Sequence, residues 1–533
     1  MATYAELLLA RADDDHVGLV FESDTWTWRE VVQECADRAA LLAPGDHVGL
    51  LLDNLPDYVF WLGACALTGA TLVGLNSTRR GEQLAGDLAH TDVTMLLTEP
   101  RHLHALPAGS GARLLADVEI PRGSGLAVHP DVDESTRLLL LFTSGSTGAP
   151  KAVICSSGRL ARIAGNGHSL FGLTRDDVLY QAMPMFHGNA LMANVALATG
   201  LGATVVLRRT FSASGFLPDV RRHSCTYFNY VGRSLAYVLA TPPTAEDADN
   251  QLRLGFGTEA SARDMDAFTS RFGCPLVESY GSSEGAISIR RAPGTPRGAL
   301  GKPPDGMPVA IHDEAGEECP RAEFDEHGAL TNGHVAIGEI VGLQGASAFE
   351  GYYNNPEAEA QRITGNLYRT GDLGYQDAEG WFWFAGRGAD WLRVDSENFA
   401  AAPVENILHR FPGAVMVAVY AVPDPRTGDQ VMAAVEMGSG ALFDPAVFET
   451  FLDEQRDLGT KWSPRFVRLV TEMPLTANNK INKQPLRVAG WNTPDPVWWK
   501  PARGDSYRPF SPDDAASLVA EFAAHDRSQL LPR

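Results

Sequence analysis

The densest concentration of chemistry-bearing residues is the stretch 143–151, Thr-Ser-Gly-Ser-Thr-Gly-Ala-Pro-Lys. Thr143, Ser144, Ser146 and Thr147 supply hydroxyls, Gly145 and Gly148 let the backbone bend, and Lys151 adds a positive charge. The apolar run at 138–142 leads straight into it, so a buried strand is expected to end in a loop of donors suited to phosphate oxygens. It is not a Walker A loop: Pro150 stands where that loop needs its second glycine, and Ala152 where it needs a hydroxyl for Mg2+.

Other candidates are scattered. Glu284 sits in Ser-Tyr-Gly-Ser-Ser-Glu-Gly (279–285), Asp372 ends Tyr-Arg-Thr-Gly-Asp, and Lys480 lies in the polar stretch Thr-Ala-Asn-Asn-Lys. Residues 281–285 also satisfy GxSxG, which leaves a hydrolase with Ser283 as nucleophile as an alternative from another class. That motif needs a helix after the serine, and the Ala-Ile-Ser-Ile-Arg-Arg that follows alternates like a strand. The 14 histidines contain no HExxH pair, and His102 with His104 alone does not make a metal site. Six cysteines without a CxxC exclude a disulfide framework and a cysteine zinc site, and they fit a reducing, cytoplasmic setting.

Five blocks in this order resemble the adenylate-forming superfamily of acyl-CoA synthetases, luciferases and peptide-synthetase adenylation domains. They are the 143–151 loop, the 279–285 block, Tyr-Arg-Thr-Gly-Asp, the 386–398 stretch beginning Gly-Arg-Gly-Ala-Asp, and the 475–487 stretch around Lys480. The resemblance implies an AMP-forming acid–thiol ligase using ATP, Mg2+ and coenzyme A. In that scheme Thr143, Ser144, Gly145, Ser146, Thr147, Gly148 and Lys151 bind the phosphates, Tyr280 stacks on adenine, and Ser283 bonds near the α-phosphate. Glu284 holds Mg2+, Asp372 and Arg387 take the ribose, and Lys480 bridges the substrate carboxylate and the α-phosphate. His187, in Pro-Met-Phe-His, would close one wall of the acyl pocket.

More local segments, such as Tyr-Phe-Asn-Tyr-Val-Gly-Arg (227–233) and Leu-Arg-Leu-Gly-Phe-Gly-Thr-Glu (252–259), resemble the fatty-acid-transport-protein and very-long-chain acyl-CoA synthetase branch. They imply a large hydrophobic acid, long-chain or polycyclic and steroid-like. The pocket expected for it is walled by His187, Tyr230, Val231, Gly232, Gly255, Gly257 and Gly281, the glycines leaving room for bulk. Three positions depart from the family pattern: Ala389 at the hinge, Ser396 where a glycine is common, and Asn479 before the lysine. Ala389 and Ser396 keep open an enzyme of one half-reaction, whereas the glycine that Asn479 replaces is variable in this branch. Transfer to a carrier protein instead of CoA is a separate alternative within the class.

These residues need a scaffold. Of 533 residues, 44 are basic and 66 acidic, giving a net charge of −22, which excludes a general nucleic-acid binder. The partners that the resemblance implies are the acid, ATP and CoA, with a carrier protein and a peripheral membrane contact as alternatives; no oligomeric state is implied. Short apolar runs alternate with helical patterns, predicting an α/β fold of largely parallel strands. The uncharged stretches 58–78 and 191–207 are each read as a buried helix, a glycine stop and a strand rather than a membrane span. A change in texture from about 298 predicts a small β-rich subdomain. The expected organisation is a large N-terminal domain over 1–388, a small mobile α+β lid over 389–500 hinged near Ala389, and a tail over 501–533.

Overall fold

The computed structural model describes residues 2–531, apart from 144–150, 327, 329, 388–389, 395–396, 427, 460, 477–479 and 503. Among them, two large sheets organise the first part of the chain. One holds parallel strands Val17–Phe21, Val178–Gln181, Thr204–Leu207, Tyr227–Val231, Leu254–Thr258 and Leu276–Gly281, with antiparallel strands at both edges. The other carries His47–Leu51, Thr71–Gly74, Met95–Thr98 and Arg137–Thr143 in parallel, then turns back through antiparallel Lys151–Ser156. The fully apolar strands are covered on both faces, as their unbroken hydrophobic runs require.

Both uncharged stretches resolve into helix, glycine and strand. Helix Pro56–Thr68 stops at Gly69, φ 79°, before Thr71–Gly74. Helix Ala196–Leu201 stops at Gly202, φ 73°, before Thr204–Leu207. Each glycine takes the left-handed conformation that a Cβ would penalise. No helix among the described residues is long and apolar enough to cross a membrane.

A smaller antiparallel sheet follows, built from Val309–His312, Gly338–Gly342, Leu367–Gln376 and Phe382–Arg387. Beyond it, hairpin Trp391–Val394/Glu397–Ala400 leads into a five-stranded sheet ordered Ala414–Pro423, Asp429–Met437, Phe466–Val470, Val497–Trp499, Arg508–Pro509. The chain after 500 supplies the last strand and the helix Pro512–Ala524, whose Leu518 and Phe522 are buried in the same core as Met416, Phe466 and Trp499.

Candidate active site

Strand Leu276–Gly281 delivers Tyr280 to its end, and the chain then turns through Ser283 and Glu284 into antiparallel strand Ser288–Arg290. No helix follows Ser283, so the nucleophile elbow required by the hydrolase alternative is absent at this turn. Tyr280 Oη donates to Asp372 Oδ2 at 2.8 Å, joining residues 92 apart in sequence. Asp372 lies on Leu367–Gln376, directly opposite Arg387 in the antiparallel register, and its N–H is held by Thr370 Oγ1 at 3.0 Å. Three expected nucleoside residues thus share one locality.

The residues expected to hold the phosphates flank an antiparallel strand pair. Thr143 pairs with Lys151 across strands Arg137–Thr143 and Lys151–Ser156, and Ser144, Gly145, Ser146, Thr147 and Gly148 lie outside the described residues. Lys151 is buried with its ammonium 5.9 Å from the centre of the Tyr352 ring. Burial, then the neighbouring Arg362, push its pKa down, while Glu284 pulls the other way. Glu284 is also buried, 4% exposed, and accepts from Tyr352 Oη at 2.7 Å. Arg362 Nε reaches the same phenol oxygen at 3.4 Å and its Nη1 the Arg369 carbonyl at 3.1 Å. A hard carboxylate oxygen in a basic surround fits a Mg2+ shared with phosphate oxygens. Tyr352 and Arg362 were not among the sequence candidates, because nothing in their local spacing links them to Glu284.

The Ser283–Glu284 turn is fixed from below by Arg159, whose Nη2 donates to Ser283 O at 2.6 Å. Ser283 Oγ also lies 3.4 Å from where a Cβ on Gly188 would sit, so the turn faces the His187–Gly188 corner. His187 precedes helix Gly188–Ala190, which runs into a π-helical turn, Leu191–Val195, and its ring packs 4.3 Å from that of Phe186.

Tyr230 and Val231 end the buried strand Tyr227–Val231, and Gly232 opens helix Gly232–Ala240. The expectation that glycines make room for a bulky acid needs correction. A Cβ on Gly255 would lie 2.5 Å from Leu276 and 2.6 Å from Phe228; one on Gly257 would lie 2.5 Å from the Tyr230 ring. The space both glycines leave is filled by the protein's own side chains from adjacent strands. Gly281 differs, with only Ile287 O near, at 3.2 Å. The roomier space is a cleft of about 480 Å³ bordered by Asn54, Thr78, Phe186, Arg209, Phe211 and Tyr237. Its rim includes Asp53, which clusters with Glu99 and His102. Arg209 Nη1 pairs with Glu99 at 2.8 Å and Arg101 with Asp53, so that cluster is an ion-pair network of both signs.

Lys480 comes from the C-terminal sheet region and crosses to the N-terminal part. Its Nζ lies 2.5 Å from Glu259 Oε1, at the end of strand Leu254–Thr258 and beside the strand bearing Tyr280. Next to Glu259, the Ala260 N–H donates to Glu278 Oε1 at 2.7 Å. Burial pushes the Glu278 carboxyl up to about 7. Ala389, Ser396 and Asn479 lie outside the described residues.

The AMP-binding enzyme family model matches residues 9–353, and the model of the AMP-binding enzyme C-terminal domain matches 403–480. The chain belongs to the AMP-binding enzyme family. It is similar to the steroid-22-oyl-CoA synthetase of Rhodococcus jostii (strain RHA1), 48% identical with 99% of each chain covered. It is also similar to the medium/long-chain-fatty-acid–CoA ligase FadD17 of Mycobacterium tuberculosis (strain ATCC 25618 / H37Rv), 43% identical over 93% of this chain and 98% of that one. The fold matches the crystal structure of the anthranilate CoA ligase AuaEII in complex with anthranoyl-AMP, with TM-score 0.78, 23% identity, and 92% and 97% of the two chains covered. Within the AMP-binding enzymes this chain is therefore an acyl-CoA ligase, an acid–thiol ligase as its five sequence blocks implied.

Proposed function

We propose that this ligase activates a large hydrophobic carboxylic acid, steroid-like or long-chain fatty, and delivers it to coenzyme A. The reach of Lys480 to Glu259, beside the strand that ends in the Tyr280–Glu284 turn, carries the mechanistic reading. The names of the two full-length relatives support the substrate class.

In the first half-reaction a substrate carboxylate oxygen attacks the α-phosphorus of ATP, forming acyl-AMP and expelling pyrophosphate. Two anions must meet, so cationic and N–H donors aimed at the developing charge do most of the work. Lys480 bridges the carboxylate and the α-phosphate, and Ser283 bonds near the same phosphate. The 143–151 loop and Lys151 bind the departing phosphates. Tyr280 packs on adenine, while Asp372 and Arg387 hold the ribose. Glu284 would hold Mg2+, which when bound offsets phosphate charge. In the second half-reaction the lid turns about Ala389, and the CoA sulfur attacks the acyl carbon. AMP leaves with the bonding electrons, and the thiol proton passes to solvent. His187 walls the acyl end, and the 480 Å³ cleft beside Phe186 offers space for bulk.

Two assays test this across fatty, aryl and steroid-like acids: pyrophosphate exchange with acid and ATP, and thioester formation from supplied acyl-AMP and CoA. Both are expected with large hydrophobic acids. Thioester on a holo-carrier protein and none on free CoA would replace the acceptor; loss of one assay altogether would leave an enzyme of a single half-reaction.

A further inference from the structure

Two polar contacts tie the C-terminal domain to one corner of the N-terminal domain, residues 259–263, between strand Leu254–Thr258 and helix Ala262–Phe272. The first is the Lys480–Glu259 ion pair. The second is Arg263, whose Nη1 donates to His409 O at 2.5 Å and lies 3.4 Å from both Phe411 O and Ala414 O. His409 caps helix Ala401–Leu408, whose C-terminal dipole attracts a cation, and Phe411 lies in the turn that leads into strand Ala414–Pro423, which Ala414 opens. Burial at this contact depresses the pKa of the His409 imidazole, which Asp264 raises and Arg263 lowers further.

The corner is built to hold its shape. Ser261 caps the helix, its Oγ accepting from Asp264 N at 3.0 Å, and Ala260 N is bonded to buried Glu278. Glu259 itself adopts φ 68°, a left-handed backbone that a side chain disfavours. A strained residue held by its neighbours and aimed at a lysine on another domain is a feature that local preference does not select.

We propose that Glu259 and Arg263 are positioning residues that hold the C-terminal domain where Lys480 faces the site, and that both contacts break before the acyl group passes to the thiol. The proposal rests on the reading that Lys480 serves the first half-reaction only. Glu259 occupies Lys480 until the substrate carboxylate and the α-phosphate arrive to share its three N–H donors. Both Glu259 and Lys480 are partly exposed, 45% and 32%, so their pair is weak enough to open once per turnover.

Single-turnover rates of the two half-reactions, measured on the full chain, test it with Glu259→Gln, Arg263→Ala, Arg263→Lys and Lys480→Ala. Acyl-AMP formation is expected to slow about 3-fold in Glu259→Gln and about 10-fold in Arg263→Ala, in the maximal single-turnover rate rather than in the ATP concentration that half-saturates it. Arg263→Lys should recover part of the loss. Thioester formation from supplied acyl-AMP should stay the same or quicken, since the lid leaves its dock more readily. A merely structural role would slow both steps alike, and that result, or no change in either, overturns the proposal. Lys480→Ala separates the two levels. If it abolishes acyl-AMP formation while the dock variants match wild type, only the dock fails; if it leaves acyl-AMP formation intact, the reading beneath fails too. Should Arg263→Ala not fold, Arg263→Lys and Glu259→Gln decide by the same comparison.

Discussion

Lys480 and Lys483 are three residues apart, yet they face different partners. Lys483, the first residue of helix Lys483–Ala489, pairs with Glu405 at 2.8 Å and Asp390 at 3.5 Å within the C-terminal domain, and Arg487 joins the same Asp390. All four side chains are less than one-third exposed. Lys483→Met should therefore lower lid stability by about 1–3 kcal/mol, because two carboxylates lose a partner. The ratio of the two half-reaction rates should stay fixed, as thermal melts and both assays would show. Lys480→Ala should cost acyl-AMP formation about 10²–10³-fold, the loss of one preorganised donor, and spare the second step. Glu278 adds a pH signature. Burial raises its carboxyl from 4.5 to about 7, so between these values the folded chain binds the proton that the unfolded chain releases. Stability contributed by this group is present below about 4.5 and falls as pH rises through 7. Glu278→Gln, which keeps an acceptor for Ala260 N–H, should flatten that fall in urea melts at pH 5 and pH 8. At this scale the sequence showed residues whose neighbours carry the message, such as Glu284, Asp372 and Tyr280. It did not show Glu259, Tyr352 or Arg362, because each acts on a partner 68 to 221 residues away or through one that does.

At the scale of elements, local rules read well where one segment decides the outcome. The apolar helix, glycine and strand at 56–74 form as written, since the stop and the strand are both local. The missing helix after Ser283 is local too, and strand Ser288–Arg290 takes its place. Gly255 and Gly257 read poorly because the pattern within one strand cannot say what the adjacent strand puts against it. Phe228 and Tyr230, two apart and on one face of Tyr227–Val231, occupy the space. Gly257→Ala is therefore expected to destabilise by about 1–3 kcal/mol through overpacking, its Cβ meeting the Tyr230 backbone O as well as the ring. The thermal midpoint should drop without a selective rise in KM for the largest acids. A large KM rise for those acids alone, at unchanged stability, would restore Gly257 to the pocket wall.

Across the whole molecule, the C-terminal domain has hydrophobic clusters of its own, separate from the large N-terminal one. The expected tail contributes to one of them: Phe522, on helix Pro512–Ala524, is fully buried with Leu518, Trp499 and Phe466. The chain end adds the strand Arg508–Pro509 to the neighbouring edge strand Val497–Trp499, and its helix reaches Met416 and Phe466 on strands far back in the sequence, which the tail's local pattern cannot show. Phe522→Ala removes a buried ring from that core and should cost about 3–5 kcal/mol. If the two domains unfold separately, calorimetry will show the C-terminal transition moving down while the N-terminal one stays. AMP binding should then survive at temperatures where acyl-AMP formation is lost, since Lys480 reaches the site only on a folded lid. A single transition that shifts as one would show instead that the polar dock at 259–263 and the packing of Tyr237 against the C-terminal core couple the domains into one unfolding unit.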